Sequence, residues 1–173
     1  MNEAELQPAP ASTAIPAKLP RRLAAIVYDG LLLVGLLIGA TALALGLAVT
    51  LLGRESFEAH NPLAGNPFFQ TYLLLVCFFF YGGFWTHGGQ TLGMRAWRLR
   101  VQQRDGRGIG WWQALLRFLL GSLWLAPVVF LHRLFEVGAG LSLAVGLGVL
   151  LLLLAWRLPD RASETELVVL PKS

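Results

Sequence analysis

The chain has 173 residues, of which 55% are hydrophobic and only 14% charged, where an ordinary soluble domain carries roughly a quarter charged residues. So little charge leaves too little polar surface to cover a compact body in water, which argues against a soluble enzyme and points to one integral membrane domain. The single Cys77 rules out an internal disulfide scaffold, and the formal charge of +4 comes from arginines beside hydrophobic runs, where they set orientation and meet anionic lipid head groups rather than nucleic acid.

Residues 1–20 are rich in Ala and Pro without periodicity and read as a disordered tail ahead of a membrane domain over 21–173. The first apolar run, about 23–50, carries Asp29 as its one charge. A helix rises about 1.5 Å per residue and needs ~20 residues to cross the hydrocarbon, so this run is a first span. It is too long for a cleaved signal peptide and is read as an uncleaved anchor. A second span, about 68–86, is bounded by Phe68, Phe69, Tyr81 and Trp85, side chains suited to the interface.

In the connection that follows, Leu99 and Val101 alternate with Arg98 and Arg100, and Asp105-Gly106 supplies a turn, which predicts a short strand. Glu166–Leu170 near the C-terminus has β propensity too, and pairing of the two segments gives a small sheet beneath the helices. Between them, the apolar stretch from Trp111 to Trp156 is cut by Leu131-His132-Arg133-Leu134-Phe135-Glu136. This yields a third span, 111–131, interrupted by Arg117 and kinked at Pro127, and a fourth, 137–156, with no charge. A three-span variant, with Trp111–Arg117 lying flat in the interface, leaves the sidedness unchanged. The expected fold is an all-α membrane protein, a four-helix transmembrane bundle with a small cytoplasmic loop or β element.

Lys18, Arg21 and Arg22 precede span one. Arg95, Arg98, Arg100, Arg104 and Arg107 join spans two and three, and Arg157, Arg161 and Lys172 follow span four. The other two connections hold only Arg54 and Arg133. The positive-inside rule therefore places both termini and the middle loop in the cytoplasm.

Three stretches carry a family resemblance. They are Arg21-Arg22-Leu23-Ala24-Ala25 with Tyr28-Asp29, Gly89-Gln90-Thr91-Leu92-Gly93-Met94-Arg95 leading to Leu99-Arg100-Val101, and the Asp105-Gly106 turn. Together they resemble the RDD family of bacterial membrane proteins. The resemblance maps the family's Arg to Arg22, with Arg21 as neighbour, and its first Asp to Asp29. The second Asp is best matched by Asp160 in Asp160-Arg161-Ala162-Ser163-Glu164-Thr165, although Glu164 stands where Gly is usual and Pro159 where His is expected. It implies a bacterial inner-membrane location and a role in transport of unidentified ligands.

Asp29 lies seven residues inside Arg22, roughly 10 Å below that end of the helix, and Arg117 lies six residues into span three, at roughly 9 Å. Lone charges at mid-membrane cost ~2.5–3.5 kcal/mol on the insertion scale, so the matching depths predict an Asp29–Arg117 pair between spans one and three. Arg22 and Asp29 share a helix face but are two turns apart. A binding pocket open to the cytoplasm is expected from Arg22, Asp29 and Arg117, with Asp160 or Gln90 as further members. The competing view makes Asp29 and Arg117 a structural clamp and Arg22 a snorkelling anchor.

Gly35 and Gly39 form a GxxxG step, and Ser142, Gly146 and Gly148 supply small residues, all suited to close helix contacts within the protomer. Glu55, Glu58, His60 and Asn61 fit no metal-site spacing and read as solvated loop; His87 and His132 lie at opposite faces. Gly88, Gly89 and Gly93 read as a helix cap rather than a phosphate loop. No nucleophile–base set and no HExxH motif is present, so neither an enzyme nor a cofactor is expected. Two functions stay open: movement of an ion or small solute, which four helices without a visible repeat perform only as a homo-oligomer, or a non-transporting scaffold or accessory subunit.

Overall fold

A computed structural model describes residues 15–53 and 63–171. Residues 1–14 of the expected tail and Glu55, Glu58, His60 and Asn61 of the outer loop lie outside the described residues. Helix α1 runs from Leu19 to Leu52, with Pro20 in its first turn, where no intrahelical N–H is required. Helix α2, Pro67–Gly88, starts on Asn66, whose side chain accepts the Phe68 N–H at 2.8 Å. It stops at Gly89, whose φ of +71° closes the last turn; a Cβ there would stand 2.5 Å from the Val101 carbonyl oxygen, so the position requires glycine. A short helix α3 (Leu92–Ala96) and strand β2 (Leu99–Gln103) follow. Next come α4 (Trp111–Ser122), α5 (Leu125–Leu134), α6 (Ala139–Ala155), the short α7 (Leu158–Ala162) and strand β3 (Thr165–Val169). A two-residue strand, β1 (Ile15–Pro16), precedes α1.

Two helices, α1 over Leu19–Leu51 and α2, are long and apolar enough to cross a membrane, and α4 with α5 makes a third when the bent pair counts as one span. Helix α6, with 17 residues, is the shorter apolar helix. Along their middle stretches α1 and α2 carry many apolar, unpacked outward side chains, Leu31 being 71% exposed and Phe68 at the start of α2 85%, as a lipid-facing surface demands. The bend of 43° between α4 and α5 falls at Leu123–Trp124, one turn before the expected Pro127. Proline acts on the residue four positions earlier: its ring displaces the Leu123 carbonyl, which accepts instead from Ala126 N–H at 3.2 Å. Beyond the turn at Glu136 (φ +51°), α6 packs on α5 at Gly146, where a Cβ would overlap Val128. Gly35 and Gly39 differ from expectation: a Cβ on either meets open space, so the GxxxG step makes no close contact among the described residues.

The strands form one antiparallel sheet in the order β1-β3-β2, with Val101 opposite Leu167 and Ile15 opposite Val169. Pairing of the loop strand with the C-terminal strand is as the sequence predicted; β1 is an addition. Ile15–Pro16 and the buried Ala17, whose N–H bonds the Leu167 carbonyl at 2.9 Å, are ordered although they fall within the expected tail. A two-residue edge strand ending in proline leaves no periodic signal. The buried apolar core, including Ala25, Met94, Leu99, Val101, Ala114 and Leu167, lies where the sheet meets the helix ends. The densest packing of this membrane protein is therefore at its base.

Candidate functional site

Among the described residues, four of the nine buried polar or charged side chains are ionic: Arg22, Asp29, Arg117 and Asp160. They are the residues singled out from the sequence, but the structure groups them differently. Asp29 and Arg117 are not partners. Asp29 Oδ2 accepts the Thr91 hydroxyl at 2.5 Å, and its Oδ1 accepts the Gly93 N–H at 2.8 Å. Thr91 in turn caps α3, accepting the Met94 N–H on its hydroxyl oxygen at 3.2 Å. The carboxylate thus holds the start of α3 against α1. The approach is close enough that a Cβ on Gly93 would stand 2.5 Å from the Ala25 carbonyl oxygen and 2.9 Å from Asp29 Oδ1. Glycine here serves helix packing, not phosphate binding.

Arg117 reaches Asp160 instead. Its Nη1 lies 2.5 Å from Asp160 Oδ1 and donates to Thr165 Oγ1 at 2.8 Å, while its guanidinium carbon stands 5.5 Å from the centroid of the Trp85 ring. Arg22 closes the cluster from the other side: Nη1 is 2.6 Å from Asp160 Oδ2, and Nε donates to the Ala17 carbonyl at 3.2 Å. Ser163 lies beneath, its hydroxyl donating to the Pro159 carbonyl at 2.6 Å and sharing a 2.8 Å contact with Thr165. One carboxylate from α7 is therefore gripped by one guanidinium from α1 and one from α4. Arg22, Arg117 and Asp160 are 5%, 8% and 5% exposed.

The electrostatics follow from this geometry. Burial by itself would raise the Asp160 pKa, but the guanidiniums of Arg117 and Arg22 outweigh it and hold the carboxyl below its ordinary range. Asp160 is thus ionised at neutral pH. Two cations against one anion leave the cluster with an excess positive charge in a poorly solvated place. Gln90 does not join the cluster: its amide donates to the Leu99 carbonyl at 2.7 Å and braces β2. Thr91, Thr165 and Trp85 are site residues that sequence reasoning missed. Thr91 carried a readable signal, a hydroxyl at the cap position before Leu92-Gly93-Met94, and Thr165 closes the stretch from Asp160 that carried the resemblance; Trp85 carried none. Among the described residues no group of three His, Cys, Asp or Glu side chains is placed to hold a metal.

The chain matches the model of the RDD family over residues 16–163. No curated protein and no solved structure matches it. The matched region contains α1 through α7, with the buried Arg22, Asp29 and Asp160 that carried the resemblance, and on that match the chain belongs to the RDD family.

Proposed function

We propose that this RDD protein crosses the bacterial inner membrane four times, with both termini in the cytoplasm, and moves a small anion as a homo-oligomer through a site built on Arg22, Asp160 and Arg117. The observation that carries the reading is the buried cluster with two guanidiniums for one carboxylate. An anion arriving from the cytoplasm replaces Asp160 on one guanidinium, so the carboxylate acts as an internal competitor that closes the site when it is empty. The four crossings take α1, α2, the bent α4–α5 pair and α6 with its apolar flanks. The orientation rests on the basic residues clustered at the sheet end, which also suit anionic lipid head groups. Asp29 belongs to the framework of α3 rather than to the pathway. No enzymatic step is assigned.

Iodide influx into proteoliposomes, followed with an enclosed iodide-quenched dye, tests the reading. Influx is expected to fall at least tenfold in Arg117→Gln while the protein still elutes as a folded species; equal influx in empty and loaded vesicles contradicts transport. A second reading is favoured by the ion pairing of the cluster, in which each Asp160 oxygen faces one guanidinium while Arg22 Nε and Arg117 Nη1 also donate to Ala17 O and Thr165 Oγ1. On that reading the cluster is a clamp in a non-transporting scaffold, and vesicles show no influx although the Asp160 variants lose stability.

A further inference from the structure

We infer that the chain is built from two copies of one unit, roughly residues 15–103 and 107–169, related by a two-fold axis through the Val101–Leu167 strand pair, and that the ionic cluster occupies one of two equivalent seats whose twin is apolar. The role of the charged seat rests on the anion reading above; the repeat does not depend on it.

The second half of each copy aligns without a gap. Leu92–Gln103 and Leu158–Val169 each consist of a five-residue helix, a two-residue turn and a five-residue strand. The hydrogen bonds coincide: Trp97 N–H bonds Gly93 O at 3.3 Å and Ser163 N–H bonds Pro159 O at 3.3 Å, while Arg98 N–H bonds Arg95 O and Glu164 N–H bonds Arg161 O. Arg98 and Glu164, each just before its strand, both take φ +55°. The two strands share one burial pattern, buried at the first, third and fourth positions. Leu92, Arg95 and Ala96 recur in sequence as Leu158, Arg161 and Ala162. The register also obeys the axis: exchanging the copies turns the Leu99–Val169 pair into Thr165–Gln103, which is itself a pair.

The first half of each copy aligns as well. Buried Ala17 before α1 corresponds to buried Ile109 before α4. Pairing of Ile15 with Val169 corresponds to the Gln103 N–H bond to Arg107 O at 2.8 Å. Both helices begin at matching places, Leu19 and Trp111, and the buried Arg22 and Ala25 on α1 then match Ala114 and Arg117 on α4. The copies differ chiefly in the length of the first hairpin, and both run in the same sense, which is the parallel type of repeat with its axis along the membrane normal. The repeat is invisible in the sequence because most of its paired positions differ in side chain.

The exchange has a chemical consequence. Asp160 maps onto Met94, Arg117 onto Ala25 and Arg22 onto Ala114, and all three twins are members of the apolar core. The same backbone arrangement is therefore filled once with apolar side chains and once with charges. A fold that packs this seat without ions does not need them for packing, so the charged seat is the one specialised to take a small anion. Arg22 joins the cluster from the other copy, so the Arg22–Asp160 contact crosses between copies whereas Arg117–Asp160 lies within one.

The test installs the polar pair at the apolar seat of the full-length protein. Met94→Asp buries a lone carboxylate and is expected to lower the thermal midpoint by about 5 °C or more. Adding Ala25→Arg, the twin of Arg117, is expected to restore at least half of that loss, whereas Ile26→Arg, one position along the helix, restores none. As a second measurement, spin labels at Gln103 and Arg107 and at Val169 and Ile15 in a Cys77→Ser background should give matching short distances. Failure of Ala25→Arg to rescue, or rescue by Ile26→Arg alike, overturns the repeat, as do unequal label distances. These readouts are independent of flux, so failure of the anion reading shows only as absent iodide influx with the rescue intact.

Discussion

Asp160→Asn exchanges one atom of the carboxylate that pairs with both buried guanidiniums. The amide keeps the size of the carboxylate but removes its charge and turns one acceptor into a donor that faces a guanidinium. Two arginines, 5% and 8% exposed, then stay buried without a counter-charge. Removing one partner from a buried pair costs about 3–5 kcal/mol, and a protein of this size shifts its midpoint by about 2–4 °C per kcal/mol. The expected loss is therefore roughly 6–20 °C. Arg117 keeps Thr165 and the Trp85 face, and Arg22 keeps the Ala17 carbonyl, which places the result toward the lower part of that range. Thermal melts of the detergent-solubilised protein, read by intrinsic fluorescence and by loss of the monodisperse elution peak, measure it. The surface pair Arg107–Asp105, 2.6 Å apart but solvent-exposed, is the control: Asp105→Asn leaves the midpoint unchanged. An Asp160→Asn midpoint within about 2 °C of the parent would refute the reasoning, because it would mean the buried charges are solvated.

Three further outcomes follow from the same contacts. Thr91→Ala removes the donor to Asp29 and the cap of α3, and should cost about 1–3 kcal/mol, with Asp29→Asn adding little on top because the two share one interaction; a double-mutant melt series reads this. Gly93→Ala forces a Cβ toward the Ala25 carbonyl and Asp29 and should destabilise by about 1–3 kcal/mol, whereas Gly35→Ala, which meets open space, should not destabilise in the same melt. The folded pKa of Asp160 is held below its unfolded value, so its stabilisation is complete above the ordinary carboxylate range and is lost as pH falls through the lower folded value. The midpoint difference between the parent and Asp160→Asn should therefore stay level from about pH 8 to pH 5 and close only below about pH 4.

The membrane character, the first two helices and the β2–β3 pairing were legible because hydropathy, strand alternation and turn residues act locally. All four ionic residues were legible too, Asp29 and Arg117 as charges that stand out in apolar runs, Arg22 and Asp160 through the family resemblance. Their partners were not. Counting residues along a helix gives the depth of Asp29 and of Arg117 but not the azimuth at which either side chain leaves the helix, and equal depth does not make contact. The chain after α2 turns back along α1, which lets the Thr91 hydroxyl and Gly93 amide satisfy Asp29 from within one half of the molecule. That leaves Arg117 to the carboxylate of α7, a residue whose flanking Pro159 gave a weaker family match. Neither β1 nor the repeat has a composition or period of its own, so only their backbone hydrogen bonds disclose them.

Two double-mutant cycles in the same detergent decide the partner of Arg117 most directly. Arg117→Met crossed with Asp160→Asn should give a coupling energy of at least about 1.5 kcal/mol, while Arg117→Met crossed with Asp29→Asn should add within about 0.5 kcal/mol. Strong coupling to Asp29 with additivity at Asp160 would contradict the cluster on which the account stands.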